Sequence, residues 1–191
     1  MILKLGGVTT KKRSKAGKTV FPDCSDYGLN NIEEIMCIGD GFIYVFRNPA
    51  SAVICAARLC CIIEYCVARQ EVLPIHFRVG IHTGMVNCFW DKHRWNYMGE
   101  GIIGGRGVLE AIGKEVDDVA YVSGQTRSNL LAIESQGGSG NVTIESILES
   151  FINRGRRYDK HRTPWRVYEL RHDYLTPGKF PEGKGDPQLD C

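Results

Sequence analysis

One carboxylate in this sequence sits where a hard cation could use it. Asp40 lies between Gly39 and Gly41, flanked by the apolar runs Ile35–Ile38 and Phe42–Phe46. Two strands joined by Gly-Asp-Gly make a tight hairpin, because Gly and Asp tolerate the positive φ that the turn needs. A carboxylate held at such a tip suits an oxygen-liganded cation such as Mg²⁺. Taken alone, the same triplet is an ordinary turn. Two phosphate-loop patterns are also present, and neither holds. Ala16-Gly17-Lys18-Thr19 ends like a P-loop, but the place of the first glycine is taken by Lys12, and no apolar strand precedes it. Gly99-Glu100-Gly101-Ile102-Ile103-Gly104 fits G-x-G-x-x-G with Asp117-Asp118 downstream. In a dinucleotide fold the acid ends the second strand, whereas this pair precedes the strand Val119–Val122. His82 and Thr83 are polar residues of a catalytic type, and Trp90, Trp95 and Trp165 read as packing rather than base-stacking. Lys160 stands in the basic turn Arg154–Pro164.

The elements that must position these residues are legible in outline. Ile32–Phe46 reads as the hairpin around Asp40. Asn48-Pro49 supplies an N-cap and a proline at the first helical position, and Val53, Ala56, Ala57, Cys60, Ile63 and Val67 follow at helical spacing. This predicts a largely buried helix over 49–70. In Ile75–Val86, Phe77, Val79 and Ile81 alternate with Arg78, Gly80 and His82, as in a strand. Val86–Trp90 continues into a hairpin arm with Trp95–Met98. Gly104–Ile112 reads as a helix, Val119–Val122 as a strand, Ser123–Ile133 as a helix, and Ile147–Asn153 with Trp165–Leu170 as paired strands. The order β-β-α-β-β-α-β-α-β-β predicts an α+β fold, a mainly antiparallel sheet with helices on one face. Residues 1–31 read as an irregular basic segment, 32–172 as the domain, and 173–191 as a disordered tail.

Composition narrows the class of partner. The chain has 191 residues and a net charge of +2, with 24 basic and 22 acidic residues, so global charge names no partner. Six basic residues precede Asp23, and a second cluster runs from Arg154 to Arg166. Such runs are ordinarily solvated faces, and no nucleic-acid partner is expected. Arg, Glu or Gly interrupt the apolar stretches, so no membrane span is expected. Among the eight cysteines, Cys55, Cys60, Cys61 and Cys66 share one helix and no Cys-x-x-Cys occurs. That pattern fits buried thiols in a reducing, cytoplasmic setting rather than a zinc site or a disulfide framework.

Together, Ile38-Gly39-Asp40-Gly41-Phe42, the Asn48-Pro49 helix, Phe77-Arg78-Val79-Gly80-Ile81-His82-Thr83-Gly84, Tyr97-Met98-Gly99 and Tyr121-Val122-Ser123 resemble the catalytic domain of class III nucleotide cyclases. The resemblance runs from Ile32 to Leu170, and it implies that the strand carrying His82 and Thr83 is mainly structural. It implies a ferredoxin-like (split βαβ) cyclase fold that is N-terminally incomplete here. It also implies conversion of a nucleoside triphosphate to its 3′,5′-cyclic nucleotide and pyrophosphate, with two Mg²⁺ or Mn²⁺ ions activating the ribose hydroxyl. The partner it implies is a second copy, or another cyclase-like domain, in a head-to-tail dimer whose sites use both subunits. Asp40 resembles the second metal aspartate. The first lies on a strand that would fall before Met1. Phe21-Pro22-Asp23 resembles its Phe-x-Asp, although only eight residues separate Asp23 from Ile32 and a crossover needs about a dozen. Met36 and Asn96 fall on the base-reading positions, and Lys160 resembles the triphosphate lysine. The transition-state asparagine and arginine fall on Ile103 and Gly107, with Arg106 one residue away and rotated by about 100° on a helix. Two readings follow: an active cyclase, or a cyclase-like domain without turnover that binds nucleotide or pairs with a partner.

Overall fold

The computed structural model describes residues 2–6, 32–37, 41–69, 76–91, 94–113, 118–134, 143–172 and 175. The strands are β1 (Ile2–Gly6), β2 (Ile32–Cys37), β3 (Gly41–Phe46), β4 (His76–Ile81), β5 (Asn87–Asp91), β6 (Arg94–Met98), β7 (Val119–Ser123), β8 (Phe151–Tyr158) and β9 (Pro164–Leu170). The helices are α1 (Pro49–Ala68), α2 (Glu100–Ile112), α3 (Gly124–Glu134) and α4 (Ile144–Glu149). Seven strands form one sheet in the order β2-β3-β1-β4-β7-β9-β8, and β5 with β6 forms a separate hairpin. Among the described residues only β4 and β7 pair in parallel, as expected of a mainly antiparallel α+β sheet.

Local chemistry explains α1. The Asn48 side chain accepts from the Ala50 N–H at 2.8 Å, and Pro49 occupies the first turn, where a missing N–H costs nothing. Its inner face, with Val53, Ala56, Ala57 and Cys60 at 0% exposure, packs on Phe77, Val79, Ile81, Ala120 and Val122. By length and composition alone α1 is apolar enough to cross a membrane, as a core helix can be. Here that apolarity is spent on the sheet. Burial pushes the Cys60 thiol's pKa well up, so it stays protonated.

The side chains of β7 alternate between two cores, as strand geometry requires. Ala120 and Val122 face the α1 side, while Tyr121 packs with Val108, Val167, Val119 and Trp165 on the other. Helices therefore cover both faces, not one. Helix α2 lies on the second face because Gly80 lets it approach: a Cβ there would stand 2.6 Å from the Gly105 carbonyl oxygen and 2.8 Å from Leu109 Cγ. That contact joins elements distant in sequence and leaves no mark on periodicity.

Three other expectations are corrected. Residues 1–31 contribute β1, which pairs antiparallel with β3 and β4, so the sheet has a strand where the sequence reading placed none. Ile147–Asn153 is not one strand. Thr143 caps α4 by accepting from the Ser146 N–H, and β8 begins only at Phe151. Leu175, assigned to the tail, is 2% exposed and joins the core. At the sheet's edge, β8 carries a register shift between Asn153 and Arg156, with Gly155 at φ 78°.

Candidate functional site

The site implied by the sequence divides between two ends of the sheet. Strand β3 starts at Gly41, level with Lys4 of β1 and Arg78 of β4. From Arg78, opposite Val119, the sheet runs through Ser123, opposite Val167, to Pro164. Along the strands alone, at about 3.3 Å per residue, the start of β3 and the turn that carries Lys160 are at least about 20 Å apart. One copy does not bring them to one substrate. Asp40 and Asp23 themselves lie outside the described residues. The backbone of Met36 pairs with Ile43 on β2, an outer strand of the sheet. Asn96, half-buried, stands opposite Phe89 in the β5–β6 hairpin, away from Met36's strand.

The metal chemistry implied for this end does not fit the donors found. Strand β3 is flanked by β2 and, on the inner side, by β1, the strand that stands where the resemblance expects the first metal aspartate. The sequence of β1 is Ile-Leu-Lys-Leu-Gly, with Lys4 opposite Gly41 and no carboxylate. Among the described residues no three His, Cys, Asp or Glu side chains cluster to hold a metal.

At the other end, α2 and the β8–β9 turn do meet. Arg106 Nε donates to Glu110 Oε1 at 2.9 Å, and Lys160 Nζ lies 2.9 Å from the same oxygen. Partial burial works against the Glu110 charge, but the hydrogen bonds from Lys160 and Arg106 outweigh it and hold the carboxyl below its ordinary value. The two cations closest to the implied phosphate positions are thus engaged with a carboxylate. Ile103 is 69% exposed and carries no hydrogen-bonding group. Gly107 is covered: a Cβ there would lie 2.4 Å from Trp165 Cζ2 and 2.7 Å from Cε2. Trp165 is held in turn, its Nε1–H donating to Asp159 Oδ2 at 3.1 Å. Asp159 Oδ1 accepts the N–H groups of His161 and Thr163 and so fixes the turn.

Sequence reasoning missed Glu110, Trp165 and Asp159 in this role. A small residue at Gly107, facing no turn and inside a helix, was the available signal of a close contact. His82 and Thr83 prove structural, as read. His82 Nδ1 lies 2.9 Å from Ser123 Oγ, and Thr126 Oγ1 joins Ser123 Oγ and Thr83 Oγ1 at 3.1 Å each. Burial lowers the pKa of His82, so the ring is neutral at pH 7. Asp118, half of the acidic pair weighed for a dinucleotide, accepts the Phe77 N–H at 3.1 Å and lies 3.1 Å from His76 Nδ1. It ties β4 to the start of β7 and reaches no ligand cleft.

No family model matches the chain, and no curated protein sequence matches it. Solved structures do. Two adenylate cyclases from Trypanosoma brucei, described in their monomeric state, superpose with TM-scores of 0.55 and 0.53. The first is 16% identical over 78% of this chain and 74% of its own, the second 13% over 88% and 86%. The adenylyl cyclase CyaB from P. aeruginosa gives 0.50, at 15% identity over 95% of this chain and 94% of its own. The fold is therefore that of the adenylate cyclases. Within that fold this chain is a divergent form, with Ile103 and Gly107 where the resemblance places asparagine and arginine.

Proposed function

We propose that this chain is a cyclase-fold domain that does not cyclise nucleotides by itself and acts by pairing with a second cyclase-fold domain. The observation that carries this reading is the Gly107–Trp165 contact, because the place of the transition-state arginine is filled by an indole. Arg106 does not substitute, since Glu110 holds it and α2 turns it away from Gly107. Each preorganised donor missing from such a site costs about 3–4 kcal/mol of transition-state stabilisation. Two missing donors lower the rate by about 10⁴–10⁶. The carboxylate-free β1 removes the second metal ligand as well.

What remains is a surface suited to a partner. Met85, Phe89, Trp90, Met98 and Ile103 are each between 41% and 73% exposed, and all lie on the β5–β6 hairpin, the loop before it or the first turns of α2. Apolar side chains grouped like this mark an interaction surface. The opposite placement of the Asp40 hairpin and the Lys160 turn supports head-to-tail pairing, in which each chain offers one end to the other. Because each head-to-tail site would join one chain's Asp40 end to the other's α2 end, a fully equipped partner would still leave both shared sites incomplete, so the pairing serves assembly or regulation rather than turnover.

The test is a product assay on the purified chain with Mn²⁺ and each of ATP, GTP, CTP and UTP, read by mass spectrometry. No cyclic product from folded protein is expected. One cyclic product that disappears in Asp40→Ala would overturn the proposal and name the base.

A further inference from the structure

The parallel strands β4 and β7 end side by side, at Ile81 and Ser123, and the next helices along the chain, α2 after the β5–β6 hairpin and α3, lie on opposite faces of the sheet. Helix α2 lies on one face of the sheet, while α3 packs with α1 and α4 on the other. Where strand connections diverge in this way the chain leaves a crevice beyond the carboxyl ends of the parallel strands. Here it has a volume of about 390 Å³, against about 80 Å³ for a neighbouring cavity lined by β3 and the Gly84–Ile102 region. His82 and Ser123, hydrogen-bonded to each other, line it, and Trp165 and Tyr168 form aromatic walls.

Its charge is one-sided. Arg127 and Arg166 both line the crevice and no carboxylate does. Among the described residues neither arginine forms an ion pair; Arg127 lies over the Tyr168 ring at 5.2 Å. Arg166 stands directly opposite Arg156 across β8 and β9, so a third guanidinium approaches from the same face. Like charges facing each other across strands are destabilising unless something of opposite sign lies between them. Ser128 and Gln125 add short polar groups to the same wall.

We propose that this crevice binds the phosphate group of a small phosphomonoester. Two guanidinium forks and a hydroxyl present more donors than the two oxygens of a carboxylate can accept, while three terminal phosphate oxygens take them. The crevice is several times larger than one phosphate, and Trp165 and Tyr168 leave room for an organic body beside it. Arg127 and Arg166 stand apart from Arg106, Glu110 and Lys160, none of which lines the crevice, while Trp165 borders both places. Phosphate binding there uses none of those three side chains, so it stands or falls separately from the cyclase-type reading.

Calorimetric titration of the full chain with inorganic phosphate and with AMP, at ionic strength fixed by chloride, tests it. Saturable binding is expected, weakened at least tenfold by Arg127→Gln and by Arg166→Gln. Arg157→Gln, at a residue that does not line the crevice, should change it less than twofold. Equal affinity for the two probes would assign the site to free phosphate alone and overturn the phosphomonoester, whereas tighter AMP binding supports it. Amide NMR of the unmodified chain provides the second readout, with shifts expected at Gly124 and Ser128. No binding of either probe, or an equal loss in Arg157→Gln, would overturn the proposal, as would shifts confined to residues outside the crevice.

Discussion

Adding one methyl group at Gly107 separates a plugged arginine position from an open one. In an unobstructed helix interior, Gly→Ala stabilises by about 1 kcal/mol, because alanine has less backbone entropy to lose. At Gly107 the new Cβ would meet Trp165 Cζ2 at 2.4 Å, more than 1 Å inside ordinary contact. The indole cannot yield freely, since its Nε1–H is bonded to Asp159. Overpacking of this kind costs about 1–3 kcal/mol. Gly107→Ala should therefore be neutral to destabilising by up to about 2 kcal/mol, despite the helical gain. In a Trp165→Ala background the obstruction is gone, and the same change should stabilise by about 1 kcal/mol. The double-mutant cycle should thus show a coupling of about 1–3 kcal/mol. Urea unfolding followed by circular dichroism measures it without depending on tryptophan emission. If Gly107→Ala stabilises by the same amount in both backgrounds, Trp165 does not cover Gly107. The argument for a silent site would then fall with it.

Three further outcomes are expected. Ile103→Asp, at an exposed position, should leave the unfolding midpoint unchanged while abolishing self-association in sedimentation velocity; an unchanged oligomer would remove α2 from the interface. Glu110→Gln should release Arg106 and Lys160 at a cost below about 1 kcal/mol, since both cations are largely exposed, yet yield no cyclic product by mass spectrometry. Burial lowers the pKa of His82 below its ordinary 6.5, so the unfolded chain binds this proton more tightly than the folded one. Its contribution to stability is full above about pH 6.5 and is lost as pH falls towards the folded-state value. Urea midpoints should drop over that range, and His82→Gln should flatten the slope.

What was legible in the sequence was local. Asn48-Pro49 announced α1 because capping is written in adjacent residues, and the alternation of Phe77, Val79 and Ile81 gave β4 its buried face. The Gly39-Asp40-Gly41 hairpin and the strand Phe77–Gly84 together carried the resemblance to the cyclase fold that the solved structures bear out. β1 escaped notice because five residues ending in Gly6, with Gly7 next, carry little periodic signal. α4 escaped because its cap, Thr143, opens a helix of only six residues. The plugged arginine position was invisible for a different reason. Gly107 and Trp165 meet only after β7, α3, α4 and β8 have folded between them.

The edge strand β8 has a consequence for how this protein can meet others. An outer strand with open N–H and C=O groups invites end-to-end growth into ribbons. β8 presents Arg154, Arg156 and Arg157, and its backbone is kinked at Gly155. Two such edges brought together would repel, and the kink would break their register. Growth by sheet extension is thus blocked on this side, and encounters between copies are diverted to the faces and the β5–β6 arm. A closed pair, with a defined number of members, is the form of assembly this geometry favours over an open-ended one.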